Sequence, residues 1–362
     1  MYSFSVLTAF YILFYLVVFI GWIMHKKSRD SGESTIPLEE LTVLIPFRNE
    51  HENLKHLLTQ LGELVKTPHQ FIFINDHSED KGYELLETHK GDLIEVISLD
   101  QDKQGKKTAI YEGVKQVNTK YVLCWDADIT LGKDYFEHIQ NLKTADLLIL
   151  PVHFSSKTIC QSAGEIDFYL ANLVNQASSH WLRPIMCNGA NLLFDKQSYL
   201  EVIQLEKHQN ILSGDDMFLL RNMQKSSKDI HLVSGDQCSV STESPKSIKH
   251  FFQQRNRWFG KSFLINDQLL NLWAGVQFTF SVSYLFLFTY WLVEDVHLML
   301  LVLLIKTGID FLFLSIYFAS IRKIKLLLLI PIYGIIFPIY NLVLLCLYFF
   351  TNHTWKGRKL YT

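Results

Sequence analysis

Residues 41–125 repeat one pattern: short apolar runs alternate with helical stretches, the first marked by leucines at helical spacing. Leu41 to Ile45 is the first run; Leu54, Leu57, Leu58, Leu61 and Leu64 follow between Glu50 and Val65. Phe71 to Ile74 is the second, trailed by a helical stretch near Asp80 to His89. Leu93 to Ile97, a helix over Lys106 to Val117, and Tyr121 to Trp125 complete the series. Strands alternating with helices at this spacing predict an α/β fold, with a mostly parallel, Rossmann-like central sheet and helices on both faces. There is no internal repeat and no low-complexity tract.

The pattern changes at both ends. Phe4 to Met24 carries no charge, about 21 positions or roughly 31 Å of helix, enough to cross a bilayer. His25, Lys26, Lys27 and Arg29 follow it. Positive charge after rather than before the apolar run predicts an uncleaved anchor with its basic end in the cytoplasm. Three more apolar stretches lie at Leu272 to Leu292, Val296 to Ser320 and Leu326 to Phe350. The second holds Lys306 and Asp310, one helical turn apart, which read as a structural pair rather than a transport site. Pro331 and Pro338 interrupt the third, leaving a re-entrant or a spanning segment open. The expected organisation is an anchor at 1–25, a cytoplasmic domain at 26–244, an amphipathic interface helix at 245–271, about three membrane segments at 272–350 and a basic tail at 351–362.

Composition narrows the function classes. The 362 residues are 49% hydrophobic and 19% charged, with a formal net charge of −2. That balance argues against nucleic acid as a partner, which would call for positive charge against phosphates. Five unclustered cysteines fit a reducing compartment and no disulfide scaffold.

Each predicted strand ends in polar groups: Pro46, Arg48, Asn49 and Glu50; Asn75, Asp76 and His77; Gly105 and Lys106; Asp126 and Asp128. Ligands of open α/β sheets bind at the carboxyl ends of strands. Asp126-Ala127-Asp128 presents two hard oxygen donors, suited to Mg²⁺ or Mn²⁺ completed by phosphates and water. Asp76 reads either as an acceptor for a nucleobase or ribose, or as a cap of the next helix. Lys106 at a helix start is unfavourable unless an anion is near, so it reads as a phosphate contact or as a solvated surface lysine. Asp215 and Asp216 suit the first turn of a helix by dipole alone, or supply a general base. Arg255 and Arg257 suit a membrane interface or a diphosphate. Neither a dinucleotide-binding glycine fingerprint nor a P-loop is present.

In order along the chain, these motifs resemble membrane-anchored glycosyltransferase family 2 with the GT-A fold, similar to cellulose and hyaluronan synthases and to ceramide glucosyltransferases. The resemblance is carried by Ile45 to Glu50, Asn75 to Asp80, Gly105-Lys106, Asp126-Ala127-Asp128, Gly214-Asp215-Asp216 and Gln254-x-x-Arg257-Trp258. It implies an inverting enzyme using a nucleoside-diphosphate sugar and a divalent cation. Pro46, Arg48, Glu50, Asp76, Lys106, Asp126, Gln254, Arg257 and Trp258 would hold the nucleotide sugar. Asp126 and Asp128 would hold the metal, and Asp216, with Asp215 beside it, would be the base. Cys187 to Asn191, with Asn188 and Gly189, would lie on the acceptor side. Trp355-Lys356-Gly357-Arg358 is similar to a tail of related lipid and polysaccharide glycosyltransferases.

Two departures stand out: Asn75 replaces the first Asp of its motif, and Gly214-Asp215 replaces Thr-Glu. The implied acceptor is a lipid-linked or growing glycan at the cytoplasmic face of a bacterial inner membrane, with the lipid bilayer itself a partner. Three membrane segments favour a single transfer over polymerisation. The competing readings are a processive polysaccharide synthase and, outside enzymes, a degenerate membrane scaffold that binds nucleotide sugar.

Overall fold

The computed structural model describes residues 2–27, 35–203, 215–350, 354–355 and 358–359. It opens with helix α1 (Tyr2–Lys27). Then come β1 (Leu41–Phe47), α2 (His51–Gly62), β2 (Gln70–Asn75), α3 (Gly82–Glu87), β3 (Ile94–Ser98), α4 (Lys106–Gln116) and β4 (Tyr121–Trp125). Next are β5 (Ile129–Leu131), α5 (Tyr135–Ile139), β6 (Leu147–Ile149), β7 (Val152–Ser155) and the long helix α6 (Ile159–Trp181). They are followed by β8 (Asn191–Asp195), α7 (Lys196–Val202), α8 (Asp215–Lys225), β9 (Ile230–Leu232) and β10 (Val240–Glu243). The last helices are α9 (Ile248–Ile265), α10 (Gln268–Glu294), α11 (Val296–Ser320) and α12 (Ile330–Phe350). The tail adds β11 (Thr354–Trp355) and β12 (Arg358–Lys359), paired antiparallel.

The chain divides into two compact units, one of them residues 28–155, 186–243 and 353–362, the other residues 1–27, 156–185 and 244–352. The soluble domain expected at 26–244 is therefore interrupted. Its residues 156–185, which include α6, group with the apolar helices. Thr158 and Gln161 form a capping box that starts α6, a signal written in the sequence.

The first unit holds a seven-stranded sheet in the order β3-β2-β1-β4-β8-β6-β9. Strands β3, β2, β1 and β4 run parallel, as the alternating pattern predicts. β8 enters antiparallel between β4 and β6, so the sheet is mostly but not wholly parallel. A second sheet has the order β5-β10-β7. Helix α4 packs its Ala109, Ile110 and Val114 against Leu44, Ile72, Ile74, Val122 and Cys124. The approach is close at Gly113, where a Cβ would lie 2.5 Å from Ile74 Cδ1 and 3.1 Å from Leu44 Cδ1. β1 pairs with β4 only as far as Leu44, so Pro46, buried in the freed end of β1, forfeits no ladder bond there.

Among the described residues, the second unit has four segments long and apolar enough to cross a membrane: Phe4–Lys27, Gln268–Glu294, Val296–Ser320 and Ile324–Tyr348. The last is not broken at its prolines. Pro331 sits in the first turn of α12, where a missing N–H costs no helical bond, and Pro338 lies inside a continuous helix. The irregular part is instead the 3₁₀ stretch Ile324–Leu329 that precedes it.

Candidate active site

The loops after β1 and β2 are stitched together. Asn49 and His77 hold positive φ (54° and 56°), a conformation asparagine tolerates better than most residues. Asn49 N–H donates to Ser78 Oγ at 3.1 Å, and Glu79 N–H donates to Asn49 Oδ1 at 2.8 Å. Asp80 accepts from His51 N–H at 2.8 Å, in the first turn of α2, and from Gly82 N–H at 3.0 Å. The turn after β2 is capped by Asn75, whose Oδ1 accepts from Ser78 N–H at 2.9 Å. Asn75 thus caps this turn only; the N–H of Gly82, which opens α3, is accepted by Asp80. Asp76 is 3% exposed at the strand end. Arg48, half-buried, reaches Glu79 at 3.8 Å.

Beside these loops, β4 delivers its carboxylates from a rigid mount. Trp125 is fully buried, and its indole N–H donates to Asn191 Oδ1 at 3.3 Å. The Tyr135 hydroxyl donates to the same oxygen at 2.6 Å. Asn191 Nδ2 in turn donates to the carbonyls of Pro151 and Cys238, both at 2.9 Å. The backbone just before Asp126 is therefore pinned to β8.

A connected run of charged and backbone groups follows. Lys106 Nζ, in the first turn of α4, is 2.6 Å from Asp126 Oδ1 and donates to the Gly189 carbonyl at 3.2 Å. Gly189 N–H donates to Asp216 Oδ2 at 3.2 Å, and Asp216 Oδ1 accepts from Met217 N–H at 2.8 Å. The surface-lysine reading of Lys106 is overturned: the anion its helix position requires is Asp126. Gly105, at φ 94°, supplies the left-handed residue from which α4 starts. Gly189 ties the predicted nucleotide side to the predicted base, and Asn188 holds its own loop by accepting from Ala190 N–H at 3.0 Å. Asp215 begins α8; its side chain, with Ser213, Gly214, Lys356 and Gly357, lies outside the described residues.

Asp128 remains open to solvent on a densely walled surface. Desolvation by those walls, then repulsion from Asp126 and Glu50, pushes its carboxyl up to about 6. The Thr242 hydroxyl, 3.2 Å from Oδ2, opposes the rise. Thr242 was not legible in the sequence, because the antiparallel pairing of β10 with β5 brings it there. Among the described residues no three His, Cys, Asp or Glu side chains cluster as a closed metal cage.

Helix α9 carries the second motif in the other unit. Arg255 is 3% exposed and is not free for a diphosphate. Its Nε and Nη2 each donate to Asp167 at 2.7 Å, and Nη2 also donates to the Gly164 carbonyl at 2.6 Å. Its guanidinium lies 4.2 Å over the Trp258 ring and donates to Gln254 Oε1. Gln254, Arg257 and Trp258 are half-buried on the same helix.

The sequence model described as Glycosyl transferase family 2 matches residues 42–154, and that described as Glycosyl transferase family group 2 matches residues 121–350. The second spans more than half of the chain.

The chain belongs to glycosyl transferase family group 2.

Over 133 residues it is 31% identical to the poly-beta-1,6-N-acetyl-D-glucosamine synthase of Staphylococcus aureus (strain COL), covering 36% of this chain and 32% of that protein. The Staphylococcus epidermidis protein of the same name is 32% identical over 98 residues, covering 27% and 24%. The matched part is thus about a third or less of these relatives' length. A mannosyltransferase from Pyrobaculum calidifontis, solved with GDP-Man and Mn²⁺, aligns with 94% of this chain and 96% of its own, at a TM-score of 0.56 and 15% identity. The fold is GT-A, as the sequence resemblance implied.

Proposed function

We propose that the protein is an inverting glycosyltransferase. It would move a sugar from a nucleoside-diphosphate sugar to a hydroxyl of a lipid-linked or growing glycan acceptor, at the cytoplasmic face of a bacterial inner membrane, in cell-envelope glycan synthesis. The observation that supports this best is the run Asp126–Lys106–Gly189–Asp216. It joins a cation and a carboxylate, suited to a leaving diphosphate, to a second carboxylate suited to deprotonating an acceptor.

Asp76, buried at the end of β2, is proposed to accept from the base. Lys106 exchanges its Asp126 partner in part for donor phosphate and holds it as charge grows on the leaving group. Asp216, oriented through Gly189 and Met217, takes the proton from the attacking hydroxyl. Attack opposite the leaving group inverts the anomeric centre. Gln254, Arg257 and Trp258 are proposed to serve the diphosphate and acceptor side.

A divalent cation, Mg²⁺ or Mn²⁺, fits the donor set. Asp128 and Asp126 are hard oxygens with mutual repulsion to relieve, a pair suited to an ion completed by phosphate and water. When bound, it would supply Lewis-acid neutralisation of the diphosphate.

The Staphylococcus relatives favour a second reading, processive synthesis of a polysaccharide. A panel of nucleotide sugars, scored for nucleoside-diphosphate release by the purified protein with membrane acceptor, tests the first reading, and product length separates the two. Release from no donor would overturn both and leave a binding scaffold.

A further inference from the structure

The helical unit contains a polar centre that the proposed transfer does not use. Lys306 Nζ is 2.6 Å from Asp310 Oδ2, and these side chains are 12% and 6% exposed. Asp310 Oδ1 also accepts from the hydroxyls of Tyr11 at 2.6 Å and Tyr15 at 3.0 Å. Asp310 is therefore fully engaged, and a purely structural pair would be complete at that point.

Lys306 is not complete. Beyond Asp310, the ammonium faces the rings of Tyr11 and Tyr284, 5.7 and 5.8 Å from their centroids. No further acceptor for it exists among the described residues. The Tyr333 hydroxyl is buried and likewise has no hydrogen-bond partner among them. Both residues line one cleft, together with Gln277 and Ser281. A second cleft shares Tyr284, Lys306, Gly334 and Pro338 with it and is otherwise walled by aliphatic and aromatic side chains such as Leu285, Phe288 and Ile335. Gly334 lines both clefts, and a Cβ there would lie 3.3 Å from Lys306 Nζ and 3.5 Å from Asp310 Oδ2.

We propose that these two neighbouring clefts together bind one neutral amphiphile, its hydroxylated head at Lys306 and Tyr333 and its alkyl chain in the apolar cleft. Charge decides the head group. The Lys306–Asp310 pair sums to zero, so an anion placed on Lys306 meets the Asp310 carboxylate, and a cation placed on Asp310 meets the ammonium. A neutral oxygen-rich group accepts from the spare ammonium N–H and pairs with the Tyr333 hydroxyl without either conflict. Aromatic walls suit the apolar face of a sugar ring and the first methylenes of the chain. An orphaned donor in an apolar bundle is costly, which is the drive for occupancy.

The test uses the full chain in phosphatidylcholine nanodiscs with three photoreactive diazirine-tailed probes: an alkyl glucoside, an alkyl phosphate and a headless alkane. Labelled peptides from α11 and α12 are quantified by mass spectrometry; no sugar donor is needed, so the result is independent of the transfer reaction. The glucoside should label these peptides at least tenfold more than either other probe, and unlabelled octyl glucoside should compete. Gly334→Leu should reduce that labelling at least tenfold. Tyr333→Phe, which leaves packing intact, should weaken competition about fivefold, the worth of one hydrogen bond, and it decides the matter if the leucine variant does not fold. Equal labelling by all three probes, stronger labelling by the phosphate, or unchanged competition by octyl glucoside in the Tyr333→Phe protein would overturn the proposal.

Discussion

Lys106 sits 2.6 Å from Asp126, and the two residues set each other's chemistry. Lys106→Ala removes the cation facing the proposed diphosphate and leaves Asp126 beside Asp128 without its counter-charge. Donor affinity should fall at least tenfold, measured by calorimetry with the preferred nucleotide sugar, while cation affinity changes less. Asp128 adds a pH dependence. Its carboxyl is held up to about 6, against 3.8 for an ordinary aspartate, mainly by desolvation and then by Asp126 and Glu50. Below about pH 6 a proton competes with the cation, so Mn²⁺ affinity should be full above that value and fall about tenfold per unit below it. The same shift works against the metal-free fold. A raised carboxylate pKa means the folded state binds more protons than the unfolded one, so stability declines as pH rises from about 4 to 6. Asp128→Asn should therefore raise the metal-free melting temperature at pH 7 while abolishing cation-dependent turnover. A lower melting temperature would contradict this electrostatic reading. Most site carboxylates were legible because each follows an apolar run. Thr242 and the Asn191 mount of Trp125 were not, since neither carries a local signal and each acts across more than 60 positions of chain.

At the scale of elements, the strand ends are held by side chains that do no chemistry themselves. Asp80 lies in the motif read as nucleotide-binding, yet its carboxylate accepts from His51 N–H of α2 and from Gly82 N–H. Asp80→Ala should cost about 1–2 kcal/mol, the loss typical of a helix-start acceptor, read from denaturant unfolding. Gly113→Ala should also destabilise, because its Cβ would enter the space of Ile74 and Leu44. The first four strands were readable because each is a short, mainly apolar run, and α2 because its leucines keep a helical period. The later strands are three to five residues long, and β8 pairs against the direction of its neighbours, which no local pattern announces. Helix α6 was overlooked because it lies between apolar and polar in character, though its capping box marks its start. Pro338 misled in the other direction: an apolar helix packed among others accommodates it without a break.

At the scale of the whole molecule, the polar unit presents its charges at one edge of a sheet, and the other unit gathers its buried charges at a few helix contacts. Arg255 is one of these, bound twice by Asp167, and α12 joins the same carboxylate through the Tyr340 hydroxyl at 3.1 Å. One sugar per acceptor and a long product remain the two proposed outcomes; sizing products of the purified protein separates them. The central claim is that Asp216 is the base of a sugar transfer. The most direct measurement is transfer to acceptor, alongside donor affinity, for the wild-type and Asp216→Asn proteins in lipid. The account predicts a loss of transfer of about 10²–10⁴-fold, with donor affinity within about twofold of wild type. Full transfer by the Asp216→Asn protein would contradict it.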